Sequence, residues 1–169
     1  MKSHPISFLS LCFIVSFGIH FQCASKTKFQ KLESKQPDTG LVYVVRPEHT
    51  ALALWDYECI ISKYPDKFST AVIPTPVYKM NLTNGSLGYV RLTQGTYRLD
   101  VNGKPDATKV FQVKAGEEKF YELKIFSETK MSKSEMMFRE VNKEETLSEV
   151  LSVPFFIEVK PESIQVPIE

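Results

Sequence analysis

Cysteine and histidine are the side chains best suited to nucleophilic and metal chemistry near neutral pH. This chain carries three of each: Cys12, Cys23 and Cys59, with His4, His20 and His49. A thiol attacking a carbonyl needs a base beside it, so Cys59 with His49 is the pair available outside the first 23 residues. His49 follows Pro47-Glu48 and fits a solvated loop, while Cys59 stands between Tyr57 and Ile60-Ile61. There a buried small apolar residue fits better than a nucleophile or a bridge to a second chain. One histidine and one thiol cannot close a zinc shell, and no acidic loop has calcium-binding spacing. The sequence therefore predicts no metal and no cofactor. The pairs Glu117-Glu118 and Glu144-Glu145 read as solvated turn and helix surface. Asn84-Gly85-Ser86-Leu87-Gly88 has no helix after it and reads as a hairpin turn rather than a phosphate cradle.

With no catalytic site indicated, the remaining candidate is a surface. Trp55 and Tyr57, followed by Tyr64 and Phe68, could present aromatic rings to a protein or glycan. Packing in the core explains the same residues equally well.

The clearest chemistry is at the N-terminus. Lys2 supplies a positive charge, Ile6 to Phe21 form an apolar run, and the chain turns polar from Ala24 through Lys26, Lys28 and Lys31. The run is about 16 residues, short of the roughly 20 that a spanning helix needs. It therefore predicts a cleaved export signal over residues 1–22. The segment His20-Phe21-Gln22-Cys23 resembles a lipobox, in its looser spirochaete-type form rather than the common one of Leu, a small residue, then Gly or Ala. That resemblance implies that Cys23 becomes the first mature residue, acylated on sulfur and amine. Two or three acyl chains would hold it stably to a lipid bilayer. Ala24-Ser25 lacks the aspartate that resembles an inner-membrane retention signal, which implies the outer membrane, facing either the periplasm or the cell surface.

Charge narrows the partners. The chain has 21 basic and 20 acidic residues, and loss of the signal removes only Lys2, so the mature chain is neutral. A neutral chain argues against nucleic acid and against adhesion to anionic lipid by bulk charge. With Cys12 removed and Cys23 acylated, Cys59 stands alone and no intramolecular disulfide forms.

Residues 23–40 are polar, end in Gln36-Pro37-Asp38-Thr39-Gly40, and read as a flexible tether. From Leu41 the pattern is β throughout. Strands are predicted at Leu41 to Arg46, Ala51 to Trp55, Tyr57 to Ser62, Thr70 to Ile73, Val77 to Leu82 and Leu87 to Leu92. Further strands follow at Thr96 to Asn102, Thr108 to Lys114, Lys119 to Phe126, Glu135 to Val141 and Phe155 to Lys160. Clean alternation, as in Tyr97, Leu99 and Val101, gives each strand one buried face and implies antiparallel pairing. Phe120, Leu123, Ile125 and Phe126 mix the two phases, which predicts a central or bulged strand. One helix is predicted over Lys143 to Ser152, capped by Asn142, with Leu147, Val150 and Leu151 toward the sheet and Glu144, Glu145 and Glu149 toward solvent. Residues 41–169 thus read as one all-β domain, an antiparallel β-sandwich of the transthyretin or carboxypeptidase-regulatory kind with a short C-terminal helix.

Three segments are similar to a group of bacterial lipoprotein domains known as domain of unknown function 2846. They are Leu41-Val42-Tyr43-Val44-Val45-Arg46-Pro47, Leu92-Thr93-Gln94-Gly95-Thr96-Tyr97-Arg98-Leu99 and Ala115-Gly116-Glu117-Glu118-Lys119-Phe120-Tyr121. The resemblance covers most of Leu41 to Ser152 but not Trp55 to Pro76, and it implies no activity. Gly95 and Gly116 are expected in tight turns. The sequence as a whole predicts an envelope lipoprotein that binds an envelope or host protein, with an unrecognised hydrolase or a purely structural component as the alternatives.

Overall fold

A computed structural model describes residues 27–29, 31–48, 53–126, 135–153 and 156–165. The strands in chain order are β1 (Thr27–Lys28), β2 (Gly40–Arg46), β3 (Tyr57–Lys63), β4 (Thr75–Leu82), β5 (Ser86–Leu92) and β6 (Gly95–Val101). Then come β7 (Lys104–Val113), β8 (Glu118–Phe126), β9 (Glu135–Val141), helix α1 (Lys143–Ser152), β10 (Ile157–Val159) and β11 (Glu162–Ser163). They form a six-stranded sheet, β1-β10-β5-β2-β8-β9, facing a five-stranded sheet, β11-β4-β3-β6-β7. The protein is an all-β sandwich with one short helix.

Two strand pairs depart from the antiparallel expectation, for β2 runs parallel to β8 and β10 runs parallel to β5. The reason is visible in β2. All seven of its residues are buried, and a strand covered on both faces carries no alternation from which direction could be read. Val42 and Val44 point into the core between the sheets, together with Ile61, Leu82, Leu99, Tyr121 and Leu123. Leu41, Tyr43 and Val45 point the other way, into a second cluster with Leu87, Phe120, Val150 and Phe156. Strand β8, whose mixed phases predicted a central position, lies between β2 and β9.

The second cluster explains what covers the outside of the six-stranded sheet. Helix α1 packs there through Val150 and Thr146, while Leu151 is 74% exposed, so the buried stripe is rotated from the one expected. Asn142 caps the helix as predicted, its Oδ1 accepting from the Glu145 N–H at 2.7 Å. Glu149, expected in solvent, is partly buried, and burial raises its pKa, with the nearby Glu122 carboxylate adding to the rise. Arg139 on β9 donates to Glu122 on β8 and to Glu145 on α1, fastening the helix to the sheet.

The rest of the cover is supplied by the segment expected to be a free tether. β1 pairs with β10, and Phe29 and Leu32 pack against the outer cluster. The Glu33 N–H donates to the Tyr43 hydroxyl at 2.8 Å, Arg91 meets Glu33 at 3.2 Å, and Lys35 meets Glu118 at 3.4 Å. Two apolar side chains three residues apart are too few to register as a pattern, yet they suffice to dock a chain onto an apolar face. Any free tether therefore ends near Thr27 rather than Gly40.

Two predicted strands are absent. Ala53 to Trp55 forms an exposed turn, with Ala51 and Leu52 outside the described residues, and Thr70 to Ile73 is an exposed bend. Their apolar residues face solvent: Leu54 is 95% exposed and Ile73 is 89% exposed. Gly116 (φ 71°) occupies the β7–β8 turn as expected, and Gly85 (φ 63°) a turn between β4 and β5, which lie in different sheets, so the expected hairpin is a crossing between sheets instead. Gly95 instead opens β6.

One core residue yields a stability prediction. Tyr121 is fully buried, and its hydroxyl has no hydrogen-bond partner among the described residues. An unpaired buried hydroxyl costs roughly 1 to 3 kcal/mol. Tyr121→Phe should therefore raise the unfolding free energy by about 1 kcal/mol, which urea titration reads as a higher midpoint at unchanged slope. A lower midpoint would mean that the hydroxyl has a partner in solution.

Candidate functional site

The four aromatic residues predicted to form a surface do not come together. Trp55 and Tyr57 stand at the start of β3, and Tyr64 and Phe68 lie beyond its end. At about 3.3 Å per residue, the strand separates the two pairs by more than roughly 20 Å. Tyr64 is buried and takes Phe68 edge-on, ring centroids 5.5 Å apart. Tyr57 is half-buried beneath the Arg46 guanidinium, 4.6 Å from its ring centroid. Of these four, Trp55 and Phe68 present substantial aromatic surface, at 64% and 51% exposure.

Arg46 explains why Trp55 stands where it does. It is fully buried at the end of β2, and its Nη1 donates to the carbonyls of Trp55 and Leu82. Burial lowers its pKa, and the facing Tyr57 and Asp56 oppose that shift. The guanidinium thus fixes the backbone of the turn and leaves the indole outside.

The pair Cys59 and His49 gains no support. Cys59 is completely buried in the core, and burial pushes its thiol pKa far above the range in which a thiolate forms, with Arg46 only partly opposing the shift. His49 and Cys23 both lie outside the described residues. Among the described residues no group of three His, Cys, Asp or Glu is placed to hold a metal ion, and no helix is long and apolar enough to cross a membrane.

At one margin of the sandwich the edge strands β7 and β9 pack against each other. At the other, the chain crosses from β10 into β11, which pairs with β4, and a cavity of about 360 Å³ lies between β4 and the β10–β11 crossing. Met80, Ile157 and Val159 give it an apolar floor, and Asp56, Glu158 and Lys160 stand at its rim. Two further rim groups are already engaged, as Glu58 accepts from Asn102 at 2.8 Å and Glu162 meets Lys79 at 3.0 Å. Thr83 also lines it, and its hydroxyl is buried with no partner among the described residues. Such an arrangement can receive a small amphipathic group. A second, shallower groove crosses the outside of the five-stranded sheet beside Ile73, Pro74 and the Arg98–Asp100 ion pair.

Sequence reasoning flagged none of the cleft except its neighbour Trp55. β4 and β10 are some eighty residues apart in the chain and share no motif. No protein-family model and no curated protein sequence matches this chain.

Proposed function

We propose that this chain is a lipid-anchored envelope protein, held in the outer membrane by acylated Cys23, that works as a non-catalytic binding module. The observation that carries the reading is the closeness of two features. An apolar, export-type run ends at Cys23, and a folded domain begins at Thr27. Such spacing suits a domain displayed on a membrane, and the cleft between β4 and β10 supplies a place for a small amphipathic ligand or a side chain of an envelope or host protein. A hydrolase built on Cys59 is disfavoured because its thiol is sealed in the core.

The test is the intact mass and detergent partitioning of the protein from its native host, beside a Cys23→Ser variant. The wild type should have the mass of a chain starting at Cys23 plus acyl groups and should enter the detergent phase, and the variant should do neither. An unacylated wild type in the aqueous phase would overturn the anchor.

A further inference from the structure

We propose that the turn carrying Leu54 and Trp55 docks into the interface of the bilayer to which the protein is tethered, so that the β4–β10 margin of the sandwich faces the lipid. The inference rests on the acylation of Cys23 and adds to it an orientation and a second membrane contact.

The argument starts from the length of chain between anchor and fold. Thr27 pairs with Glu158 and Lys28 with Ile157, so β1 fixes the chain's entry to the β10 margin. Three residues separate Cys23 from Thr27, and a fully extended chain over the four steps between them spans at most about 14 Å. The acylated residue therefore holds this margin, and no other, close to the headgroups.

Leu54 and Trp55 lie at the same margin. Ile157 is paired with Ser86, and Ser86 with Arg46, so these three residues stand side by side on adjacent strands. At about 4.8 Å per strand, Ile157 is roughly 10 Å from Arg46. Arg46 in turn holds the Trp55 carbonyl, and the next residue, Asp56, shares the cleft with Ile157 and Glu158. The anchor and the aromatic turn thus flank one cleft.

The chemistry of the turn fits a bilayer interface. Leu54 is 95% exposed and Trp55 is 64% exposed, two large apolar groups adjacent in sequence on one loop. Tryptophan concentrates at membrane interfaces because its ring is apolar and its N–H needs a polar partner. Either side chain alone binds a membrane weakly, but a tether this short gives the turn a high effective concentration at the surface. The neutral charge of the mature chain removes any need for anionic lipid, so phosphatidylcholine serves as the probe.

Trp55 is the protein's only tryptophan, so it reports its own surroundings. The lipidated full-length product from its native host is reconstituted into phosphatidylcholine vesicles, with and without bromine on the acyl chains near the glycerol. The expected result is blue-shifted Trp55 emission with strong loss of intensity in the brominated vesicles. Leu54→Asp, at a site too exposed to affect folding, should shift the balance from docked to free by about tenfold and restore most of the intensity. Vesicle-bound protein of confirmed acyl mass whose Trp55 emits as in water and is not quenched would overturn docking and leave the anchor standing. Blue-shifted emission without quenching would overturn it as well, by placing the indole against protein. A chain with no acyl mass that stays off the vesicles would overturn the anchor, and docking with it.

Discussion

Arg46→Ala is expected to remove about 3 kcal/mol of stability and to lower the thermal midpoint by roughly 10 °C. Its guanidinium is completely buried, donates to the Leu82 and Trp55 carbonyls, and lies over the Tyr57 ring. Hydrogen bonds from a charged donor contribute roughly 1.5 to 3 kcal/mol each, and a cation over an aromatic ring adds about 0.5 to 2 kcal/mol. Part of this is offset by the cost of keeping a guanidinium out of water, and the lowered pKa of Arg46 reflects that cost. Arg46→Met separates the two contributions, since it restores apolar volume while leaving both carbonyls without this donor. It should recover less than half of the loss. Arg46→Met as stable as the wild type would show that the carbonyls find other donors and that the 53–56 turn is not held by this residue.

The position of Arg46 also shows how far the sequence could be followed. Its strand was evident over Leu41 to Arg46 from the run of Val and Tyr, but burial on both faces was not, because one buried face per strand was expected. The arginine closing that run gave no hint of being buried, since charged residues are found inside proteins only where partners supplied by the tertiary fold meet them. Those partners, Trp55 and Leu82, come from two other segments. Helix α1 was legible to the residue through its Asn142 cap, but its buried face was not, because Thr146 is turned inward where Leu151 was expected. The two apolar stretches misread as strands, around Leu54 and Ile73, share a cause. β-propensity describes residues that fit a half-buried pleated surface, and nothing local shows that these lie in turns beyond the ends of their neighbouring strands. The cleft was illegible for a different reason, since it forms between β4 and β10, strands of different sheets far apart in sequence, and belongs to no single segment.

Tyr43→Ala is expected to be the more damaging of two substitutions at its position and to change how the domain is held. Tyr43 is completely buried, lies stacked on Phe120 with centroids 4.7 Å apart, and accepts the Glu33 N–H. Truncating a buried aromatic residue of this size costs about 3 to 5 kcal/mol. Tyr43→Phe keeps the stack and removes only the hydroxyl, which accepts the Glu33 N–H and donates to the Glu33 carbonyl at 3.4 Å, so it should cost about 1 kcal/mol and act locally. Amide exchange separates the cases: the Phe variant should speed exchange at Glu33 while the amides of β2 and β8 stay protected. Unchanged exchange at Glu33 would mean that packing by Phe29 and Leu32, not this hydroxyl, retains the segment. The consequence reaches the membrane. Sixteen residues lie between Cys23 and Gly40, so a segment released together with β1 would raise the maximum reach of the anchor from about 14 Å to roughly 60 Å. Longer tethers dilute the domain at the surface, and quenching of Trp55 by brominated lipid should weaken in step with the loss of protection over β1 as well as residues 31–36. Docking that persisted undiminished after the segment had let go would show that Leu54 and Trp55 bind the bilayer without help from a short tether.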